Sequence, residues 1–128
     1  MRKYILSLFI LIIVSCKNNK NSYYLNSPDG KIKLEFNLKN GVPLYKISKN
    51  DNIIIDYSKL GIILNGKTDL DKDFKVINTN RKTHNTSWKT LFGEQKEIIN
   101  NYNELEVILD QENKKLNITF RVFDDGIG

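Results

Sequence analysis

The chain is short of the residues from which most catalytic and metal centres are built. It contains one histidine and one cysteine, so neither a zinc cluster of His and Cys ligands nor an internal disulfide can form. His84 has no serine and aspartate partners at a recognisable spacing, which leaves a Ser-His-Asp triad without support. A glycine-rich phosphate loop is also lacking. We therefore expect no catalytic residue and no metal ligand in this chain.

The charges are mixed rather than concentrated. The chain has 20 basic and 15 acidic residues, a formal charge of +5, and its lysines alternate with acids and asparagines along most of its length. A nucleic-acid-binding domain needs a basic stripe along one face or one element. The sequence therefore predicts no nucleic-acid partner.

The N-terminus is typical of an export signal. Arg2 and Lys3 give it a basic start, and residues 5–14 are apolar except for Ser7. As a helix this run would be about 15 Å long, about half the thickness of a bilayer core. The run is therefore too short for a comfortable membrane span and fits a signal peptide.

Cys16 directly follows this signal, and Ile13-Val14-Ser15-Cys16 resembles a bacterial lipobox with an acylated cysteine. The alternative is a leftover thiol behind an ordinary signal peptide, which would give the lone cysteine no obvious use. We expect a lipoprotein signal peptide over residues 1–15, a lipidated Cys16 with a polar tether over residues 16–26, and a folded domain over residues 27–128. Such a protein would be lipid-anchored in the cell envelope, at the outer membrane and facing the periplasm.

The folded part is predicted to consist of strands. Residues 31–38, 102–109 and 116–122 alternate between apolar and polar side chains, which places the apolar set on one face of a half-buried strand. Asn40-Gly41 predicts a tight hairpin, because both central positions of a type I′ turn need a positive φ. Further short strands are expected at residues 44–48, 53–55, 60–64 and 74–77, and a polar loop at residues 81–87. Short strands separated by turns indicate an all-β sandwich or barrel.

Two acidic motifs imitate functional sites. Glu104 and Glu106 lie two residues apart on one strand, about 6.5 Å, which approaches the separation of the carboxylates of inverting glycosidases. However, they project side by side and cannot flank a scissile bond, so a solvated face is the preferred interpretation. Residues 69–73 match the first positions of a calcium-binding EF-hand loop. However, Phe74 and Asn80 occupy positions 6 and 12, where such a loop needs Gly and Glu. We interpret them as a charged loop.

One segment carries residue types that suit a sugar. Trp88 is the only tryptophan and is followed by Phe92-Gly93-Glu94. An aromatic face suits the apolar face of a pyranose, and a neighbouring carboxylate can accept hydrogen bonds from its hydroxyl groups. Trp88 and Glu94 are therefore substrate-pocket candidates. The alternative, which the sequence favours, is that Trp88 caps the sandwich core.

A family resemblance rests on five elements that occur in one order. They are Ser27-Pro28-Asp29-Gly30, Leu60-Gly61, Trp88 with Gly93-Glu94, Tyr102-Asn103-Glu104-Leu105 and Phe120-Arg121-Val122-Phe123-Asp124-Asp125-Gly126. Together they resemble the N-terminal domain of glycoside hydrolase family 97 over residues 27–128. One departure is Phe92, where members more often have tryptophan.

The resemblance implies an antiparallel β-sandwich of the galactose-mutarotase-like super-sandwich type, incomplete at the C-terminus of this chain. It also implies a parent α-glucosidase or α-galactosidase that acts on α-linked oligosaccharides and usually depends on calcium. The catalytic carboxylates of the family belong to a central (β/α)₈ barrel, which a small C-terminal β-domain follows. The chain alone is therefore expected to hydrolyse nothing.

By this resemblance the chain would be the carbohydrate-binding, pocket-shaping N-terminal domain of a lipid-anchored α-glycosidase. Its partners would be the barrel and C-terminal domains, an α-linked oligosaccharide, and the membrane through acylated Cys16. No cofactor is expected within the chain, and calcium is expected for the full-length enzyme. Two alternatives stay open: a stand-alone glycan- or protein-binding sandwich lipoprotein, and a gene fragment without function.

Overall fold

The computed structural model describes residues 22–65, 69–91 and 97–128. Within these ranges the chain forms seven strands, which are β1 (Ser22–Asn26), β2 (Ile32–Lys39), β3 (Val42–Lys49), β4 (Asn52–Lys59), β5 (Lys75–Lys89), β6 (Glu97–Gln111) and β7 (Lys114–Val122). This part of the chain contains no helix long and apolar enough to cross a membrane.

The strands form two antiparallel sheets. The first sheet has the order β1-β2-β3-β4, and the second has the order β5-β6-β7. Each strand pairs with its neighbour in the chain, so both sheets are simple meanders. Inner faces of the two sheets pack on each other, and this confirms the predicted all-β antiparallel sandwich.

The core lies between the two sheets and consists of the alternating apolar residues. Its fully or almost fully buried members are Leu25, Ile32, Leu34, Phe36 and Leu38 from the first sheet, and Leu105, Val107, Leu109, Phe120 and Val122 from the second, with Phe74 beside them. The rings of Phe36 and Phe120 meet across the two layers, with centroids 5.9 Å apart. Both layers that close this core are therefore present in the chain.

The predicted Asn-Gly hairpin is confirmed. Asn40 and Gly41 have φ values of 52° and 77°, and they join β2 to β3. A Cβ atom on Gly41 would lie 2.8 Å from the Cα atom of Asp73, which approaches from a neighbouring loop. Glycine is thus required at position 41 for two reasons, the positive φ and the close backbone.

The second sheet is longer than the sequence predicts. β5 extends from Lys75 to Lys89 and pairs with β6 along its whole length. The expected loop at residues 81–87 is therefore wrong, and the short strand at residues 74–77 is only the beginning of β5. The side chains of this segment are mostly exposed on both faces, so the sequence lacks the alternation that marks a half-buried strand.

Two smaller differences concern the first strand of the first sheet and the segment that follows β4. Residues 22–26, placed in the tether by the sequence, form β1, because Leu25 is buried in the core and Tyr23 packs against it. The apolar run at residues 60–64 is predicted to be a strand, but it does not form one. It makes only an isolated bridge between Ile62 and Leu70, and Ile63 is exposed.

Candidate functional site

The outward face of the second sheet brings together polar and aromatic residues that are distant in sequence. Leu105 and Val107 of β6 point into the core, so even-numbered residues of this strand point outward. The strand register places Tyr102 opposite His84 of β5, and Glu104 opposite Arg121 of β7. Neither pair could be read from spacing alone, since each joins two strands.

Tyr102 is the centre of this group. Its ring is stacked on that of His84, with centroids 4.5 Å apart and 21° between the ring planes. The Phe123 ring lies at 4.9 Å on a 43° tilt, and the guanidinium of Arg121 lies 5.4 Å from the Tyr102 centroid. With Glu104, these residues form what we call the Tyr102 cluster. Its neighbours leave Tyr102 only 7% exposed on an outward face.

Glu104 is held by an ion pair in this cluster. Nε of Arg121 donates to Oε2 of Glu104 at 2.9 Å, and Glu104 is 8% exposed. The hydrogen bond from Arg121 lowers the pKa of the Glu104 carboxyl, although burial opposes the shift. The interpretation of Glu104 as part of a solvated face is therefore wrong, because the side chain is covered and paired with Arg121.

Glu104 and Glu106 of β6 are not arranged for acid–base chemistry. A general acid must carry a proton near its working pH, and the lowered pKa of Glu104 prevents that. Oε2 of Glu106 accepts a hydrogen bond from Nδ2 of Asn80 at 2.8 Å. Both acids thus bind neighbouring side chains on their own sheet, and the geometry gives them a structural role.

Trp88 lies outside the core. It is near the end of β5, opposite Ile98 of β6, and is 50% exposed. The interpretation of Trp88 as a core cap is therefore wrong. Residues 84–91 and residues 97–102 contribute no side chain to the buried core. We call these two segments, which contain the end of β5 and the beginning of β6, the arm. Glu94 and Cys16 lie outside the described residues, and their roles stay predictions.

Side chains at the root of the arm bind the free edge of β1. Nη1 of Arg81 donates to the main-chain oxygen of Tyr24 at 2.6 Å, and Nδ2 of Asn103 donates to that of Asn26 at 2.8 Å. Oγ1 of Thr83 in turn donates to Oδ1 of Asn103 at 2.8 Å. They line an open polar cavity of about 380 Å³. These bonds satisfy carbonyls that an edge strand would otherwise expose.

The outward face of the first sheet carries a second covered carboxylate. Oε1 of Glu35 accepts hydrogen bonds from Tyr57 at 2.7 Å and, more weakly, from Tyr24 at 3.4 Å. Nζ of Lys46 lies 3.4 Å from Oε2 of Glu35. The hydrogen bonds with Glu35 raise the pKa of the Tyr57 phenol and that of the Lys46 ammonium. The contacts join four neighbouring strands, so the cluster has a structural explanation.

Residues 69–73 form a tightly bound loop. Oδ1 of Asp69 accepts from the Leu64 amide at 2.8 Å, and Nε2 of Gln111 donates to the carbonyl oxygens of Asp69 and Lys72 at 3.1 and 2.8 Å. In residues 22–65, 69–91 and 97–128, no three His, Cys, Asp or Glu side chains are close enough together to hold a metal ion. Calcium for a full-length enzyme stays a prediction.

Two of the motifs that carry the family resemblance are in contact. In the turn before β2, Oγ of Ser27 donates to Oδ1 of Asp29 at 2.6 Å, and the Lys31 amide donates to the same oxygen at 3.0 Å. These bonds, led by that of Ser27, lower the pKa of Asp29. The Asp29 amide donates to Oδ1 of Asp124 at 2.8 Å, across 95 residues. The motifs therefore fix how the two sheets meet at this end.

The family-model comparison decides the relationship. The model of the glycosyl-hydrolase 97 N-terminal domain matches residues 25–128. The chain belongs to this family. The match includes the Tyr102 cluster and both motifs that meet at Asp29 and Asp124.

Solved structures of the family have the same fold. A glycoside hydrolase family 97 enzyme from Pseudoalteromonas sp. strain K8 was solved with panose and with acarbose; each structure matches with a TM-score of 0.76 and 27% identity over 82% of this chain. A β-arabinopyranosidase matches with a TM-score of 0.71 and 27% identity over 80% of this chain. This chain spans only 16% of the length of each of these proteins.

Proposed function

We propose that this chain is the N-terminal, pocket-shaping domain of a lipid-anchored glycosidase that acts on α-linked oligosaccharides. The observation that carries the proposal is the family-model match over residues 25–128. It is supported by the relatives from Pseudoalteromonas, which were solved with the oligosaccharides panose and acarbose. The parent enzyme would be an α-glucosidase or an α-galactosidase.

The hydrolytic chemistry belongs to another part of such an enzyme. Glycoside hydrolysis needs one carboxylic acid that protonates the leaving oxygen and a second carboxylate that acts as base or nucleophile. Among the described residues the covered carboxylates are Glu35 and Glu104, and both are bound to cationic side chains. The role of the domain is therefore to support and complete a pocket whose acids come from a separate barrel domain.

Hydrolysis assays test this division of labour. The product of the complete reading frame and a chain of residues 17–128 would be compared on p-nitrophenyl α-glucoside, α-galactoside and β-arabinopyranoside. The third substrate is included because one relative is a β-arabinopyranosidase. We expect hydrolysis by the complete product and none by residues 17–128. Cleavage by the short chain would refute the proposal, as would a complete product without a barrel domain.

The membrane anchor is a separate part of the proposal. Cys16 after an apolar run of residues 5–14 supports acylation and a place in the cell envelope, facing the periplasm. A Cys16→Ser variant should lose metabolic labelling by palmitate and move from the membrane to the soluble envelope fraction. An unlabelled wild-type protein would refute the anchor without affecting the enzyme assignment.

A stand-alone glycan- or protein-binding lipoprotein is the second candidate. The observation in its favour is the two-layered core, in which Leu34, Phe36, Leu105 and Val107 are all 0% exposed. Such a core could support an independent fold. This candidate predicts cooperative thermal unfolding of residues 17–128, a reading frame without a barrel, and no glycosidase activity in the complete product.

A further inference from the structure

We infer that the outward face of the arm is a binding surface for a neutral oligosaccharide, with Trp88 as its aromatic contact. The inference rests on the proposed function, because it names a place where the pocket-shaping domain itself touches sugar. It is carried by the arrangement of side chains along one face of β5 and β6.

The strand register defines this face. Trp88 lies opposite Ile98, Thr86 opposite Asn100, and His84 opposite Tyr102. Successive pairs on one face of a strand are about 6.6 Å apart, so the Trp88 and His84 positions are separated by about 13 Å. An aromatic side chain thus stands near each end of the face, and a hydroxyl and an amide stand between them.

The chemistry of this face suits an uncharged polyol. The exposed half of Trp88 offers an aromatic surface to the apolar face of a pyranose. Nδ2 of Asn100 and Oγ1 of Thr86 are 3.5 Å apart, a long contact that leaves both groups able to bind a ligand hydroxyl. The described outward residues of the arm, positions 84, 86, 88, 98, 100 and 102, include no acid, lysine or arginine.

The opposite face of the arm has a different character. It carries Lys89 and Glu97 as an opposed pair, and Oγ of Ser87 donates to Oε1 of Glu97 at 2.8 Å. Ile99 on this side is 72% exposed. This face carries neutral polar side chains as well, but its described positions 85, 87, 89, 97, 99 and 101 include no aromatic side chain that could stack on a sugar ring. The two faces therefore differ, and the inner one provides control positions.

The base of the outward face is fixed by the Tyr102 cluster. His84 is stacked at 4.5 Å on Tyr102, which is itself held between Phe123 and Arg121. This stack holds His84 in place before any ligand arrives. A surface that is already ordered loses less conformational entropy on binding, which favours a measurable affinity from few contacts.

Trp88 provides a site-specific assay, because it is the only tryptophan in the chain. The chain of residues 17–128 would be titrated with panose, an oligosaccharide bound by a relative, while tryptophan fluorescence is recorded. We expect a saturable change in emission and reduced quenching by acrylamide. Sucrose at the same concentration controls for solvent effects. No saturable change up to millimolar panose would overturn the inference.

Variants locate the surface, with calorimetry or ligand-observed NMR as the readout. Trp88→Ala should abolish panose binding, and Asn100→Ala should weaken it about fivefold, the equivalent of one lost hydrogen bond of about 1 kcal/mol. Ile99→Ala, on the opposite face, should leave affinity unchanged within a factor of two. Equal losses in all three variants would overturn the assignment to the outward face.

The remaining outcomes separate this inference from the proposed function. If Trp88→Ala changes only the sedimentation coefficient of the chain, the face binds protein, and the sugar-binding inference is wrong. If the complete product hydrolyses glycosides but panose leaves Trp88 unaffected, the proposed function stands and the inference fails. If panose binds at Trp88 but the complete product has no barrel and no activity, the stand-alone candidate replaces the enzyme.

Discussion

The boundary between the core and the arm can be tested by two substitutions on one strand. Leu105 and Ile99 are six residues apart on the same side of β6, but their exposed fractions are 0% and 72%. Removing a buried leucine side chain costs the transfer free energy of the lost methyl groups plus the cavity left behind, in total about 2–5 kcal/mol. An exposed substitution usually changes stability by less than about 0.5 kcal/mol. We therefore expect Leu105→Ala to destabilise strongly and Ile99→Ala hardly at all.

The measurement is urea unfolding of residues 17–128, followed by far-ultraviolet circular dichroism. Leu105→Met serves as the control, because a swap of similar volume costs less than about 1.5 kcal/mol and leaves little cavity. A domain of this size has a total stability of about 5–15 kcal/mol, so the loss in Leu105→Ala should be obvious. If Ile99→Ala costs as much as Leu105→Ala, the arm is part of the packed core and the reasoning is refuted.

Three further predictions concern individual contacts. The hydrogen bond from Arg121 lowers the pKa of Glu104 in the folded state, so its contribution to stability is complete above the ordinary pKa of a glutamate and is lost as the pH falls through the lowered value. Glu104→Gln, which cannot ionise opposite Arg121, should flatten this part of the pH–stability curve, and an unchanged curve would contradict the prediction. Gly41→Ala should destabilise more than Gly30→Ala in thermal unfolding, because both have positive φ but only position 41 has a backbone atom within 3 Å of the new Cβ. Asn103→Ala should increase concentration-dependent association in analytical ultracentrifugation, since it frees a carbonyl on the β1 edge; a monomer at all concentrations would argue against this.

The sequence predicts the strands that bury one face. β2 and β7 lie close to their expected positions because their inward residues, such as Phe36 and Phe120, alternate with charged or polar ones. The Asn-Gly turn was predictable for the same local reason, since its conformation depends on two residues only. A structural feature can thus be predicted from the sequence when the interactions that cause it involve only a few neighbouring residues.

The arm was not predictable in this way. Residues 81–87 have no buried face, so no periodic signal distinguishes a strand from a loop. The segment is a strand because its backbone pairs with β6, which begins eight residues after β5 ends. For Trp88 the sequence offers a pocket contact and favours a core cap, and the exposure of Trp88 excludes the core cap.

The Tyr102 cluster shows a second limit. Glu104 and Arg121 each belong to a distinctive motif, yet their pairing depends on the register between β6 and β7. Within β6 alone, Glu104 and Glu106 cannot be told apart, because both point to the same face and each has an apolar neighbour in the sequence. Only the neighbouring strands distinguish them, by placing an arginine beside Glu104 and an asparagine beside Glu106.

The bonds that cover the edge of β1 place unequal demands on the two sheets. The acceptors are main-chain oxygens of Tyr24 and Asn26, whereas the donors are the side chains of Arg81 and Asn103. Every amino acid has a main-chain carbonyl group, so a substitution at position 24 or 26 that does not distort the strand retains the acceptor of these hydrogen bonds. Positions 81 and 103 have no such freedom. In a library of random variants, substitutions should therefore be tolerated well at positions 24 and 26 and poorly at positions 81 and 103.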